Sequence, residues 1–388
     1  PTILVRDITI QERENDLVLG TFGRGFYVLD DYSALRSIEN KDVTETAIIY
    51  PIREALSWEK SMPLGLPGKA FQGDNFFTAP NLGPEAMITY YYNDSYKTLK
   101  EKRTELENEI TKKKEDAKYP SYVELKAERN ENDQKLVFTI KDSRGIVVKK
   151  EITKPEKGIQ RFNWNLRYTL PNPIDLSKSS FYNPWEPIDE GTLVEPGKYT
   201  VELHLLDSGS LKTLVSPTAF NVKALNNSVM PAENKSEKVA FQKQVSQLQA
   251  KLAVCQDIMG ETGTKLKYIK TAIERSEQPY GPFSKQVLDI ENKLKVITVE
   301  LYGDPVKAEL DISQPQNPAT RIGNISYEQK YSTSAPTQTH KLSFEIAKRE
   351  IDTIKKKIES LFNNDIKQLE TQLISAGVPY TPGRGYKD

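Results

Sequence analysis

Residues 2–31 read TILVRDITIQERENDLVLGTFGRGFYVLDD, and this stretch decides how the rest of the chain is to be understood. Val5, Ile8 and Ile10, then Leu17 and Leu19, then Phe26 and Val28 fall in short apolar alternations, with Leu29 out of phase. Gly20, Gly23 and Gly25 punctuate a tight structural turn between the last two runs. Two or three strands result, too few to bury both of their faces, because radial repeat folds close their core by stacking one blade on the next. The expectation is one blade of a β-propeller whose other blades lie upstream, in a chain that opens with neither an initiator Met nor a signal segment.

Composition narrows the function classes. At 388 residues the chain has room for two to four domains. Its 54 Lys and Arg are balanced by 54 Asp and Glu, so no long-range field draws it to nucleic acid or to an anionic membrane. An apolar content of 37% beside 28% charged residues suits long solvated helices next to a modest core. No apolar run approaches the ~20 residues of a membrane span. Cys255 is the single cysteine, which removes an intrachain disulfide and a Cys-based zinc site.

Beyond residue 31 the pattern divides the chain into four parts, residues 1–31 being the blade strands. Residues 32–85, with Pro51, Pro63, Pro67, Pro80 and Pro84, read as an irregular connector. Residues 86–225 carry strand alternations at 86–92, 135–142, 146–152, 159–168, 197–207 and 213–225, separated by turn signals, as in an immunoglobulin-like antiparallel β-sandwich. A helical hairpin interrupts it at 95–131: Tyr96, Leu99, Leu106 and Ile110 recur three or four apart with Arg103 in the missing slot, and Ser121 with Glu124 makes a capping box. Proline-rich residues 171–187 read as a long loop. From 235 to 388 the period becomes heptad-like. Phe241, Val245, Leu248, Leu252, Cys255, Met259, Leu266, Ile269 and Ile273 form one seam with Thr262 in its gap. Val287 to Leu301 form a second seam, and Ile351 to Leu373 a third, passing through the doublet Leu361 and Phe362. An antiparallel three-helix bundle is expected, with residues 303–340 as a loop. The class is multidomain α+β.

Little in the chain has the setting of a catalytic group. His204 shares a strand with Val201, Leu203 and Leu205 on the opposite face, and His340 precedes the third helix, where it reads as a capping or loop-packing residue. Neither has a His or Cys partner at ligand spacing, so no metal site is expected. GTFGRGF follows neither P-loop nor dinucleotide-binding spacing and runs into a strand, so no cofactor is expected. Asp30 and Asp31 read as a strand end, and Cys255 as a small hydrophobe. No residue is expected to serve as catalytic acid, base or nucleophile. In the final segment, Gly377 reads as the glycine that ends the third helix, and Tyr380 and Arg384 are expected to dock the tail.

GTFGRGFYVLDD resembles the last blade of the bacterial, Bacteroidota-type sortilin-like BNR/Asp-box β-propeller proteins, often labelled glycosyl hydrolases. NLGPEAMITYYY, FTIKDSRGIVVKKEI, GIQRFNWNLRY and EPGKYTVEL resemble the sandwich that follows that propeller, and AGVPYTPGRGY the ending of the same proteins. The blades of that family carry an S-x-D-x-G-x-T-W turn, absent here, and commonly a His where Phe22 stands. The resemblance implies a secreted or cell-envelope location in a Gram-negative bacterium, with the upstream propeller of the same polypeptide and an envelope protein as partners. It implies one of three functions: a non-catalytic scaffold, an accessory part of a propeller glycoside hydrolase or peptidase, or a subunit of an outer-membrane assembly.

Overall fold

Period-two alternation becomes strands and heptad spacing becomes helices in the computed structural model, which describes residues 2–38, 45–59, 82–176, 190–225, 228, 230–330 and 332–384. The chain divides into two compact units, 1–60 with 70–168 and 193–227, and 61–69 with 169–192 and 228–388. The first is built of sheets, antiparallel except where β5 pairs β11 in parallel, and the second of helices, so the protein is mixed α and β with a C-terminal helical region.

In the first unit β1 (Val5–Gln11), β2 (Asp16–Thr21) and β3 (Phe26–Leu29) form an antiparallel meander, followed by the short helix α1 (Ser33–Arg36). The remaining strands are β4 (Ala47–Ile49), β5 (Ala55–Ser57), β6 (Ala86–Tyr92), β7 (Lys135–Asp142), β8 (Val147–Thr153), β9 (Gly158–Trp164), β10 (Gly197–Asp207) and β11 (Ser210–Ala224). They make a sheet of five, ordered β5-β11-β10-β7-β8, and a sheet of three, ordered β4-β6-β9. Residues 32–85 were expected to be an irregular connector, yet β4 and β5 lie within it, each lending three residues to a sheet edge. Strands this short leave too little alternation to stand out among prolines. Residues 60–81 of the connector, and 177–187 of the proline-rich loop, lie outside the described residues.

One apolar cluster joins the two sheets. Ile88 and Tyr90 from β6 and Trp164 from β9 pack with Leu136, Phe138, Ile140, Val201, Leu203, Phe220 and Val222 from the larger sheet. Phe138 lies 4.8 Å from Tyr90 and 4.5 Å from Phe162 between ring centres, at tilted angles that suit the ring quadrupoles.

Between β6 and β7 the chain leaves the sheets as α2 (Leu99–Lys112) and α3 (Tyr122–Asn130). Each begins with a reciprocal capping box, Thr98 with Glu101 and Ser121 with Glu124. Arg103, the polar residue in the apolar spacing, joins the two helices: its Nε and Nη2 donate to the Glu128 carboxylate at 2.6 and 3.0 Å, and its Nη1 to Glu107 at 2.7 Å. Neither helix buries a residue.

The second unit holds α4 (Lys235–Glu274), α5 (Tyr280–Tyr302), α6 (Pro305–Glu309), α7 (Pro318–Lys330), α8 (Gln338–Ser360) and α9 (Lys367–Ser375). Its apolar residues fall into two clusters, one around Phe241 to Met259 with Phe344 to Ile358, the other around Leu266 to Ile273 with Leu361 to Leu373. Thr262 sits between them, fully buried, its hydroxyl without a hydrogen-bond partner among the described residues. The stretch 303–340 departs from the expected loop. It contains α6 and α7, and α7 buries Ile322 and Ile325 in the first cluster. Gly323 and the polar residues around those two isoleucines dilute the period below notice.

Between α8 and α9, Leu361–Ile366 forms a π-helical turn. Buried residues recur at 351, 354, 358, 361, 366, 369 and 373, and the five-residue step from Leu361 to Ile366 is the one the wider turn absorbs. After α9, Gly377 (φ +71°) closes a Schellman motif: its N–H donates to Ile374 and the Val378 N–H to Leu373, while Val378 and Leu373 are buried in the same cluster.

Two outcomes are expected. Replacing residues 99–130 by a short Gly/Ser turn leaves a single cooperative unfolding transition at an unchanged midpoint; loss of folded protein would place α2 and α3 in the core. Thr262→Val removes an unpaired hydroxyl at constant shape and raises stability in a urea titration by about 1 kcal/mol; a loss of stability would mean that the hydroxyl is solvated in the folded state.

Candidate functional site

The registers of the first sheet sort its side chains by face. Ile8 lies opposite Leu19 and Ile10 opposite Leu17, and these two leucines lie opposite Tyr27 and Leu29. Residues directly opposite share a face, so Ile8, Ile10, Leu17, Leu19, Tyr27 and Leu29 share one side of β1–β3, with Thr21 at its end. That side is open, with Ile8 58% exposed and Ile10, Tyr27 and Leu29 also exposed. The other side mixes Asp7, Thr9 and Gln11 with Val18, Phe26 and Val28, and Phe26 is 80% exposed. Exposed apolar side chains thus lie side by side across three strands, with polar residues on the opposite side.

The glycines singled out in the sequence surround its turn. Gly23 and Gly25 have positive φ, +83° and +69°, which a side chain would strain. The Thr21 main chain and hydroxyl both donate to the Gly25 carbonyl, at 3.1 and 2.7 Å. Gly20 lies in β2 with the Asp7 backbone beside it. Phe22 is exposed, with the Arg6 guanidinium 5.1 Å above its ring.

Where β3 ends, polar contacts hold the meander to the rest of its unit. Asp31 adopts φ +44°; its N–H donates to Asp16, and its carboxylate accepts from the Ser33 N–H and hydroxyl. Arg161 on β9 donates to the Asp30 and Asp31 carbonyls at 2.7 and 2.8 Å and to Thr89 at 3.1 Å. Arg53 donates to the Glu14 carbonyl at 3.2 Å.

Each imidazole has both ring nitrogens engaged. His204 stands on the outward side of β10, its Nδ1 3.2 Å from the hydroxyl of its cross-strand partner Thr213 and its Nε2 3.3 Å from Glu202. A hydroxyl, an imidazole and a carboxylate in line have the composition of a nucleophilic triad. Lys141, however, donates to the same carboxylate at 2.7 Å, and the four side chains form a polar ladder across β7, β10 and β11. This contact, first, and then burial in the opposite sense, leave the Glu202 carboxyl below the usual glutamate range. His340 occupies the third helical position of α8, where its Nδ1 accepts from the Thr337 N–H and lies 3.0 Å from Gln329 Nε2, while its Nε2 lies 2.5 Å from Glu328. That cap requires a ring without a proton on Nδ1.

Cys255 is buried, and burial pushes its thiol up, away from the reactive thiolate. Tyr380 is 61% exposed. Arg384 is 6% exposed and donates from Nη2 to the Val378 carbonyl at 2.7 Å; its Nε and Nη1 are buried without a partner among the described residues, and burial lowers its affinity for the proton. A cleft in the second unit, lined by Gln242, Val245, Gln249, Ser326 and Gln329, encloses about 50 Å³, room for a water or two. Among the described residues, no group of three or more His, Cys, Asp or Glu is placed to hold a metal ion, and no helix is long and apolar enough to cross a membrane.

Sequence reasoning found the turn and the strands but missed Arg161 and Arg53, since an arginine's carbonyl partner 130 residues away leaves no local signal. Arg161→Met is expected to speed amide exchange across residues 5–29 at least tenfold while leaving the helical unit unchanged; equal exchange would show the clamp to be idle. For Glu202, a folded pKa below the unfolded one means a stabilisation fully present above the ordinary glutamate range and lost as the pH falls through the lowered folded value. The stability gap between the native chain and Glu202→Gln should therefore shrink between about pH 6 and about pH 3; a constant gap would refute the assignment. No protein-family model and no curated protein sequence matches this chain.

Proposed function

We propose that this chain is the non-catalytic, C-terminal scaffold and interaction region of a secreted or cell-envelope β-propeller protein, with β1–β3 as strands of the terminal blade. The observation that carries the reading is the apolar face of Ile8, Ile10, Leu17, Leu19, Tyr27 and Leu29, open to solvent on a three-stranded sheet. Blades are apolar on the faces they turn to their neighbours, and an isolated meander with one such face bare is otherwise an aggregation liability. The sheets of the first unit fit an immunoglobulin-like sandwich in two details: Trp164 is fully buried in the shared core, and the Tyr199 hydroxyl donates to the Glu195 carbonyl four residues upstream, as in a tyrosine corner. The C-terminal helices then form a bundle that carries the docked tail.

A second reading, a subunit of an outer-membrane assembly, draws on the helical hairpin. Its connecting segment and the start of α3 expose Tyr119, Tyr122 and Val123, and tyrosine is among the residues that anchor protein interfaces. In the reading as part of a hydrolase, the catalytic groups belong to the propeller.

The blade assignment is tested by amide exchange of residues 5–29 in this chain alone and in a longer product that includes the segment encoded before it. The expected result is at least a hundredfold slower exchange in the longer product, reversed by Ile10→Lys. Equal exchange in both would overturn the assignment.

A further inference from the structure

His340 meets two N–H donors on one ring nitrogen. The Thr337 N–H donates to Nδ1 at 3.2 Å and Gln329 Nε2 lies 3.0 Å from it, yet an unprotonated imidazole nitrogen has a single lone pair to share between them. The other nitrogen, Nε2, lies 2.5 Å from the Glu328 carboxylate and therefore carries the proton of the neutral ring. A second proton can enter only at Nδ1, against both donors.

The two donors differ in freedom. Thr337 offers a main-chain N–H fixed by the start of α8, whereas Gln329 offers a side-chain amide that can turn to present its oxygen. The Gln329 main chain is itself held, since its carbonyl accepts from Gln242 Nε2 of α4 at 2.7 Å. Gln329 Oε1 is buried without a partner among the described residues. With the amide turned, Oε1 accepts from Nδ1–H and the amino end takes the unpaired place, so one end of the amide lacks a partner in either state. The proton on the ring decides between them. The charged groups around the ring are Glu328 from α7 and, at the next position of α8, Lys341, which pairs with Glu237 of α4 at 2.8 Å.

We propose that His340 and Gln329 form a proton-operated latch at the joint between α7 and α8. In the closed state Nδ1 caps α8 through the Thr337 N–H; when the ring takes a second proton from water, Nδ1 donates to the turned Gln329 oxygen and the cap opens. A glutamate or glutamine at the third helical position completes such a capping box without titrating near neutral pH, and a histidine there makes the cap conditional. The joint has something to release. The Ala232 N–H donates to the Thr333 carbonyl at 2.9 Å and the Ser334 hydroxyl to the Met230 carbonyl at 2.8 Å, so the connection between α7 and α8 fastens the residues that lead into α4. The latch lies within the helical unit and is independent of the blade reading.

The test follows the 15N-labelled 388-residue chain by NMR from about pH 8 to about pH 5. Imidazole 15N shifts should show the His340 proton on Nε2 alone at the upper end and on both nitrogens at the lower. Across the same interval the Thr337 and Ala232 amides should lose protection about tenfold or more, after correction for the intrinsic pH dependence of exchange, while Ile354 in the middle of α8 keeps its own. His340→Gln supplies a cap that does not titrate, so in that variant both amides should stay protected throughout. A proton on Nδ1 at the upper end overturns the proposal, as does unchanged protection at either amide. Equal loss in His340→Gln overturns it by assigning the change to another group, and loss at Ile354 as well overturns it by making the change a general acid unfolding.

Discussion

Closure of two sheets over one aromatic cluster governs the whole first unit. Phe162 must point inward to meet Phe138, at 4.5 Å between ring centres, and in a strand its neighbour must then point outward. That neighbour is Arg161. The guanidinium that holds the exit of β3 is thus placed by the packing of the residue beside it, and Thr89 on the adjacent strand supports it through its hydroxyl. The same alternation along β10 buries Tyr199, Val201 and Leu203 and turns Glu202 and His204 to the surface ladder.

The meander β1–β3 is held differently. Polar contacts tie it to the rest of the unit at one end, hydrogen bonds from Arg53 and Arg161 to main-chain carbonyls and an ion pair from Arg53 to Glu14, while Ile8, Ile10, Tyr27 and Leu29 on its apolar side stay exposed. Full burial of a large aliphatic side chain contributes roughly 1.5–3 kcal/mol, and Ile8, Ile10 and Leu29, 58%, 49% and 40% exposed, each forgo about half of it. The sheet is anchored in orientation but unfinished in packing, the condition of a surface awaiting a neighbour.

How much of this was legible depended on the length of each pattern. The long heptad spacing from Phe241 to Ile273 announced α4, and the alternation along β7 announced a strand. β4 and β5, three residues each, were invisible because a strand that short has no period to read. α7 was missed because Ile322 and Ile325 are its only buried aliphatic side chains apart from Pro318. The glycines Gly20, Gly23 and Gly25 could locate the turn between β2 and β3, but not which side chains share a face. That depends on register, and register is a relation between strands. The tail shows the same limit: Val378 is buried and Arg384 with it, while Tyr380, equally apolar in its ring, faces outward.

The π-helical turn at Leu361–Ile366 bears on how this sequence tolerates change in length. A helix whose seam is continuous cannot lose a residue, because every side chain beyond the cut rotates by about 100° and leaves its pocket. Between Leu361 and Ile366 the helix already holds one residue more than the seam uses. Removal of one residue there would return the turn to ordinary α geometry and keep Leu369 and Leu373 facing inward. The wide turn is in effect a slack link, a place where one residue can be lost without rephasing α9, so that the chain's length and its packing are uncoupled there.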